Sequence, residues 1–147
     1  MVDTKPIETT LELVEIIKRS KPMKELKKVG HPAKQVFQAL RIAVNDELNV
    51  LEKALTAALK HLKPGGRLAV ITFHSGEDRI VKNYFKEAAI SEGNRIDGPM
   101  QEKEKEFDLI NRKPIVASES ELEMNHRSAS AKLRIIARKE RRQQSWL

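Results

Sequence analysis

A histidine, a serine and an arginine stand just after an apolar run, and their types could support chemistry. His74 and Ser75 are adjacent, and Arg79 follows one helical turn later. A serine beside a histidine resembles a nucleophile and its base, but neighbouring strand residues point to opposite faces and no glycine-flanked elbow precedes the serine. His74 is either a packed histidine at a strand end or a hydrogen-bonding partner for a base or a phosphate. Arg79 either reaches a phosphate or pairs with an acid such as Glu77.

The elements that must position these residues are a turn, a strand and a helix. Lys63–Gly66 is a proline- and glycine-rich break, and Leu68–Phe73 is an apolar run rich in β-branched residues, which is typical of a strand buried on both faces. Ser75 is expected to cap the following helix, with Asp78 completing a capping box. A buried strand that enters a helix predicts the α/β class with some parallel sheet, and ligands gather beyond the carboxyl ends of such strands.

Helix signals dominate the first third of the chain. Thr9 and Glu12 fit a capping box for a short amphipathic helix. A long apolar stripe then runs from Pro32 to Leu62 at helical spacing. We expect a kink or break near Asn45–Glu47, where a second helix could be capped.

The last third predicts strands and a short helix. Strands are expected over Phe107–Lys113 and Ala131–Lys139. In the second, Ala131, Leu133, Ile135 and Ala137 alternate with Lys132, Arg134, Ile136 and Arg138. Ser118 and Glu121 predict a capped helical turn between the two strands. Residues 91–106 are polar and predict a solvated loop.

Composition limits the possible functions. The chain has 147 residues, a net charge of +7 and a pI near 9.7, which suit one compact domain with an anionic partner, by default a nucleic acid. There is no cysteine, so disulfides, thiolate metal sites and cysteine nucleophiles are excluded, and the four histidines show no metal-ligand spacing. No apolar run has the length of a membrane span and no signal core stands at the N-terminus, so we expect a cytoplasmic protein.

A series of short blocks occurs in a fixed order: His31–Lys34, Phe37–Ile42, Asn45–Leu48, Lys63–Gly66, Ile71–Ser75, Arg112–Ile115 and Ser130–Arg134. Together they resemble the bacterial 16S ribosomal RNA cytosine-N4 methyltransferase family (RsmH/MraW). The resemblance implies a class I S-adenosylmethionine-dependent methyltransferase with a Rossmann-like sheet and an inserted helical domain. Its target would be the exocyclic amine of a cytidine in the small ribosomal subunit.

On this resemblance, residues 1–44 correspond to the end of the inserted helical domain, 45–140 to the C-terminal part of the Rossmann-like domain, and 141–147 to a basic tail. The apolar strand would be the fifth of the sheet, closed by the two later strands as an antiparallel pair. The resemblance implies S-adenosylmethionine as cofactor and 16S ribosomal RNA as partner, and the histidine spacing predicts no metal site. The candidates for contact with RNA are His74, Ser75, Arg79, Arg127, Lys132 and Arg134.

The chain also departs from the family pattern. The glycine-rich cofactor loop of the family is not in this sequence, so no catalytic and no cofactor-binding residue is carried over, and we expect the chain to be inactive alone. Gly76 stands where the family usually has leucine. A partial sheet leaves an open strand edge, which predicts self-association or pairing with a separate N-terminal half through residues 67–73. The alternative function is a non-catalytic basic module for RNA binding or assembly.

Overall fold

A computed structural model describes residues 6–26, 30–90 and 106–140. The helices are α1 (Thr10–Ser20), α2 (Met23–Leu26), α3 (Lys34–Asn45), α4 (Glu47–His61), α5 (Ser75–Ala89) and α6 (Glu119–Met124). The strands are β1 (Arg67–Thr72), β2 (Phe107–Leu109) and β3 (Lys132–Arg138), and a 3₁₀ turn over His126–Ser130 precedes β3. The chain divides into two compact units, Met1–Glu47 and Leu48–Leu147. The identities assigned to residues 1–44 and 45–140 stay predictions. Residues 91–105 of the predicted loop and the predicted tail 141–147 lie outside the described residues.

The first unit is helical. The predicted capping box at its first helix is confirmed: Thr9 Oγ1 accepts a hydrogen bond from the Glu12 amide at 3.2 Å, and the Glu12 carboxylate accepts one from the Thr9 amide at 3.3 Å. Ile17, on the apolar side of α1, is 5% exposed. Lys21 Nζ donates to the Pro32 carbonyl at 2.7 Å and so ties the segment after α1 to the segment before α3.

The long apolar stripe is interrupted where a break was expected. Asp46 lies between α3 and α4 in the left-handed region, with φ 51. A short polar residue tolerates this conformation better than an apolar one, so the sequence ends one helix and starts another here. The expected break is therefore confirmed.

The second unit contains a three-stranded sheet in the order β1-β3-β2. Strand β1 pairs with β3 from Arg67↔Ala137 to Thr72↔Lys132, and β2 pairs with the other edge of β3. Both pairings are antiparallel. The expected parallel sheet is thus not found among the described residues, although the α/β class is confirmed. Strand β2 ends at Leu109, well before the predicted Lys113, because Asn111 and Pro114 interrupt the ladder before Ile115 bridges Leu133.

The core lies on one side of this sheet, against α4 and α5. Its buried members are Leu55, Leu59, Val81, Phe85 and Ile136. In β1, Leu68, Val70 and Thr72 alternate with exposed residues, and Ile71 is 58% exposed. The prediction that this strand is buried on both faces is wrong for the described structure, because α4 and α5 pack on one face of the sheet and the alternate side chains of β1 are exposed.

Within the ranges described, no helix combines the length and the apolar character needed to cross a bilayer.

Candidate functional site

The carboxyl end of β1 leads directly into α5, and His74 rather than Ser75 is the cap. His74 has extended backbone angles, and its Nδ1 accepts hydrogen bonds from the amides of Gly76 at 3.1 Å and Glu77 at 3.3 Å. The predicted capping box of Ser75 with Asp78 is therefore wrong by one residue. An imidazole nitrogen with a free lone pair accepts amides as a serine hydroxyl does, which sequence statistics for caps do not anticipate.

The Glu77 side chain completes the capping box by accepting hydrogen bonds from the backbone amides that precede α5. Its Oε2 accepts hydrogen bonds from the amides of Phe73 at 3.0 Å and His74 at 3.4 Å. Its Oε1 lies 3.2 Å from His74 Nε2, without the alignment of a hydrogen bond. Because Nδ1 serves two amides, His74 has no lone pair there to activate the Ser75 hydroxyl, and the arrangement does not form a nucleophile–base pair.

Gly76 gives the histidine ring room over the helix start. A Cβ built on Gly76 would lie 3.1 Å from both Cε1 and Nδ1 of His74, tighter than ordinary van der Waals contact. Glycine lowers helix propensity by up to about 1 kcal/mol relative to alanine. The close approach of the ring gives a local reason for glycine at this position.

Asp78, on the first turn of α5, forms a buried ion pair with the central strand. Its carboxylate accepts hydrogen bonds from Arg134 Nε at 2.8 Å and Arg134 Nη2 at 3.1 Å, a bidentate pair, and Lys132 Nζ lies 3.6 Å away. The hydrogen bonds from Arg134 lower the pKa of Asp78 below its ordinary 3.8, against an opposing effect of burial, and the charges of Arg134 and Lys132 add to the lowering.

This pairing corrects one candidate. Arg134 is 7% exposed and its guanidinium is committed to Asp78, so it is not presented to an RNA backbone as expected. The sequence contained a signal for this, since the apolar Ile136 shares a strand face with Lys132, Arg134 and Arg138. In the structure Ile136 is fully buried. The face of β3 that looks charged in sequence is thus the inner face.

The remaining candidates lie in the first residues of α5, at the start of β3 and on the turn before β3. Ser75 and Arg79 are exposed, four residues apart on α5, and form no side-chain hydrogen bond or ion pair with other described residues. Lys132 is opposite Thr72 in the register and its side chain is 40% exposed. Arg127 is exposed on the 3₁₀ turn that leads into β3. The sheet therefore brings Lys132 to the end of β1 where His74 and Ser75 lie.

The described residues do not fit a bound S-adenosylmethionine. The amides of Gly76 and Glu77 at the start of α5 are already taken by His74, and the ranges described contain no glycine-rich loop between a strand and a helix. The arrangement can hold α5 firmly and present Ser75, Arg79 and Lys132 to an anionic ligand.

An antiparallel sheet packed on helices, with a helix beginning directly after a strand, is consistent with part of a methyltransferase fold. Residues 2–139 match the sequence profile of the MraW methylase family. The chain belongs to this family, and it is therefore a protein of methyltransferase type.

Proposed function

We propose that this chain supplies the RNA-facing, C-terminal part of a methyltransferase that uses S-adenosylmethionine to methylate N4 of a cytidine in 16S ribosomal RNA. Membership of the MraW methylase family is the observation that carries the proposal. The net charge of +7 supports an RNA partner, since basic surfaces attract the phosphate backbone. A role on the small ribosomal subunit implies a cytoplasmic location.

In this proposal the residues around the start of α5 divide into two groups. Ser75, Arg79, Lys132 and Arg127 contact the RNA, because their side chains are wholly or partly exposed. His74 with Glu77, and Asp78 with Arg134, are positioning residues that fix the helix on the sheet. Positioning of this kind matters because small displacements of contacting groups strongly reduce the rate of a transfer reaction.

The unpaired edge of β1 supports the proposal that another polypeptide adds a strand to the sheet. Strand β1 pairs with β3 along one edge, and no described strand lies along the other. Ile71 and Phe73, at its carboxyl end, are 58% and 57% exposed. Unpaired strand edges with apolar side chains readily pair with another strand. The partner we propose is a polypeptide segment that carries the family's glycine-rich cofactor loop and adds a strand to β1.

The test combines cofactor binding with methyl transfer. Calorimetric titration with S-adenosylmethionine is expected to give no heat for the chain alone and a binding isotherm once a segment bearing the glycine-rich loop is added. Transfer of a tritiated methyl group to small-subunit RNA should require both polypeptides. Arg79→Ala should then reduce transfer, whereas Lys60→Ala on the exposed side of α4 is the matched control.

Other outcomes contradict the proposal. Salt-dependent RNA binding without transfer in any combination would favour the non-catalytic RNA-binding module. Sedimentation that shows a symmetric dimer, unchanged by the added segment, would assign the β1 edge to a second copy of the chain.

A further inference from the structure

A basic groove lies between α5 and the segment that follows β2, away from the start of α5. Its main cavity has a volume of about 330 Å³ and is lined by Lys82, Phe85, Lys86, Leu109, Arg112 and Arg134, together with Asn111. A second cavity of about 230 Å³ shares Lys86, Leu109 and Arg112 with it and extends the groove past the end of α5. Asp108 also lines this second cavity, and its carboxylate is paired with Lys139. The main cavity is at the lower end of the roughly 300–1,000 Å³ found for small-molecule sites, a size that suits one nucleotide unit.

Three exposed cations stand around this groove without a described acidic partner. Lys82 and Lys86 are one turn apart on α5, and Arg112 lies on the facing segment. None of the three forms an ion pair or a side-chain hydrogen bond with another described residue, in contrast to Lys132 and Lys139, which both pair with aspartates. Like charges at this spacing on a helix repel each other, so an anion between them would be stabilised.

The inner part of the groove is preorganised. Arg134 is buried and fixed by its bidentate pair with Asp78, and its Nη1 contacts the Arg112 carbonyl at 3.5 Å, so it forms a fixed wall of the groove and is not itself offered to the ligand. Asn111 is held by donating to the Leu133 carbonyl at 3.0 Å and accepting from the Ile135 amide at 2.8 Å. Phe85 and Leu109 supply apolar surface beside these groups.

We infer that this groove binds a backbone phosphate of single-stranded RNA, with the attached sugar against Leu109. Cations on two walls with an apolar patch between them match an anionic ligand that carries apolar surface, and they do not match an acidic peptide side chain alone. The inference rests on the proposed RNA-directed function and adds to it a second contact region, on the length of α5 beyond its first turn.

The experiment compares two triple variants of the full chain that lose the same charge. The groove variant is Lys82→Ala, Lys86→Ala and Arg112→Ala. The control variant is Lys53→Ala, Lys60→Ala and Lys63→Ala, all exposed and outside the groove. Binding of a fluorescent single-stranded RNA of about 12 nucleotides is measured by anisotropy over a series of salt concentrations. Circular dichroism melting confirms that both variants fold.

We expect the groove variant to bind about tenfold or more weakly than the wild-type chain, with a slope of log affinity against log salt that is flatter by about one phosphate contact or more. The control variant should lose less than about threefold. Equal losses in the two variants would overturn the groove while leaving the RNA-directed function in place. Absence of RNA binding by the wild-type chain would overturn both. Inorganic phosphate that competes with RNA for the wild-type chain but not for the groove variant would further support the site.

Discussion

A basic side chain pairs with an aspartate near each end of strand β3, Arg134 within the strand and Lys139 just after it, but the surroundings of these pairs differ. At the site end, formed by Thr72–Asp78 with Lys132 and Arg134, the Asp78–Arg134 pair has side chains only 11% and 9% exposed. At the turn end, formed by Leu62–Gly66, Glu106–Asp108, Arg138 and Lys139, the Lys139–Asp108 pair is 3.8 Å apart with side chains 42% and 54% exposed.

The comparison shows that two ion pairs of similar composition near one strand can differ in how much stability is lost when one partner is removed. At the site end, water cannot replace a lost partner, because the remaining charge stays buried. At the turn end, water hydrates either charge of the Lys139–Asp108 pair, and other contacts also join the segments. Gly65 donates to the Arg138 carbonyl and the Arg138 amide donates to the Gly66 carbonyl, both at 2.9 Å, and the Arg138 side chain donates to the Leu62 carbonyl at 2.6 Å. The buried ion pair thus lies at the site end, next to the proposed RNA contacts Ser75 and Lys132.

Asp78→Ala should produce the largest effect. It leaves the Arg134 guanidinium buried without its counterion, and we expect the free energy of unfolding to fall by about 3–5 kcal/mol. Urea denaturation followed by circular dichroism measures the change. The double variant Asp78→Leu with Arg134→Met should recover much of the loss, because no buried charge remains. If Asp78→Ala lowers the free energy of unfolding by no more than the loss of an exposed ion pair does, the proposed difference between the site end and the turn end is wrong.

Acidification tests the same pair through protonation. Because Arg134 lowers the pKa of Asp78 in the folded state, the contribution of this carboxylate to stability is complete above its unfolded pKa and is lost as pH falls through the lower folded value. The free energy of unfolding of wild type minus that of Asp78→Asn should therefore be largest near about pH 7 and should shrink below the ordinary pKa near 3.8. A difference that stays constant across this range would contradict the ionic origin of the effect.

His74→Ala removes the cap of α5 at the site end. We expect a loss of about 1 kcal/mol in the free energy of unfolding, as for other N-cap deletions. His74→Asn is the matched control, since asparagine is a preferred cap and should keep most of the stability. If the asparagine variant is as unstable as the alanine variant, the ring contributes packing rather than capping.

Asp108→Ala should have the smallest effect, because it disrupts only the exposed pair at the turn end. We expect a change of about 0.5 kcal/mol or less in the free energy of unfolding, measured in the same urea titration. High salt should reduce this small change further, while the effect of Asp78→Ala persists, since buried pairs are screened much less. If Asp108→Ala instead causes a large loss in the free energy of unfolding that high salt does not reduce, the two ends of β3 do not differ in the way proposed.

Local signals in the sequence predicted most of the secondary structure. The capping box at Thr9, the break at Asp46 and the positions of β1 and β3 follow from residue types within a few positions of one another. The cap at His74 was missed by one residue, because the choice between adjacent polar side chains depends on the space that Gly76 leaves for the ring.

The contacts that define the candidate site could not be predicted in this way. Asp78 and Arg134 are separated by 56 positions, and no periodicity links them. The groove likewise joins α5 to residues after β2, so its cations are scattered in sequence. Only the packing of α5 against the sheet brings these groups together.

The ion pair between α5 and β3 also selects the alignment of the sheet. Side chains alternate between the two faces of a strand, so sliding β3 by one residue along β1 would turn Arg134 outward and bring Leu133 against the Asp78 carboxylate. In that shifted register the Asp78 carboxylate would be buried beside apolar side chains without its cation, and Ile136 would be exposed. Asp78 on the neighbouring helix therefore favours the native register of β1 and β3 over the register shifted by one residue.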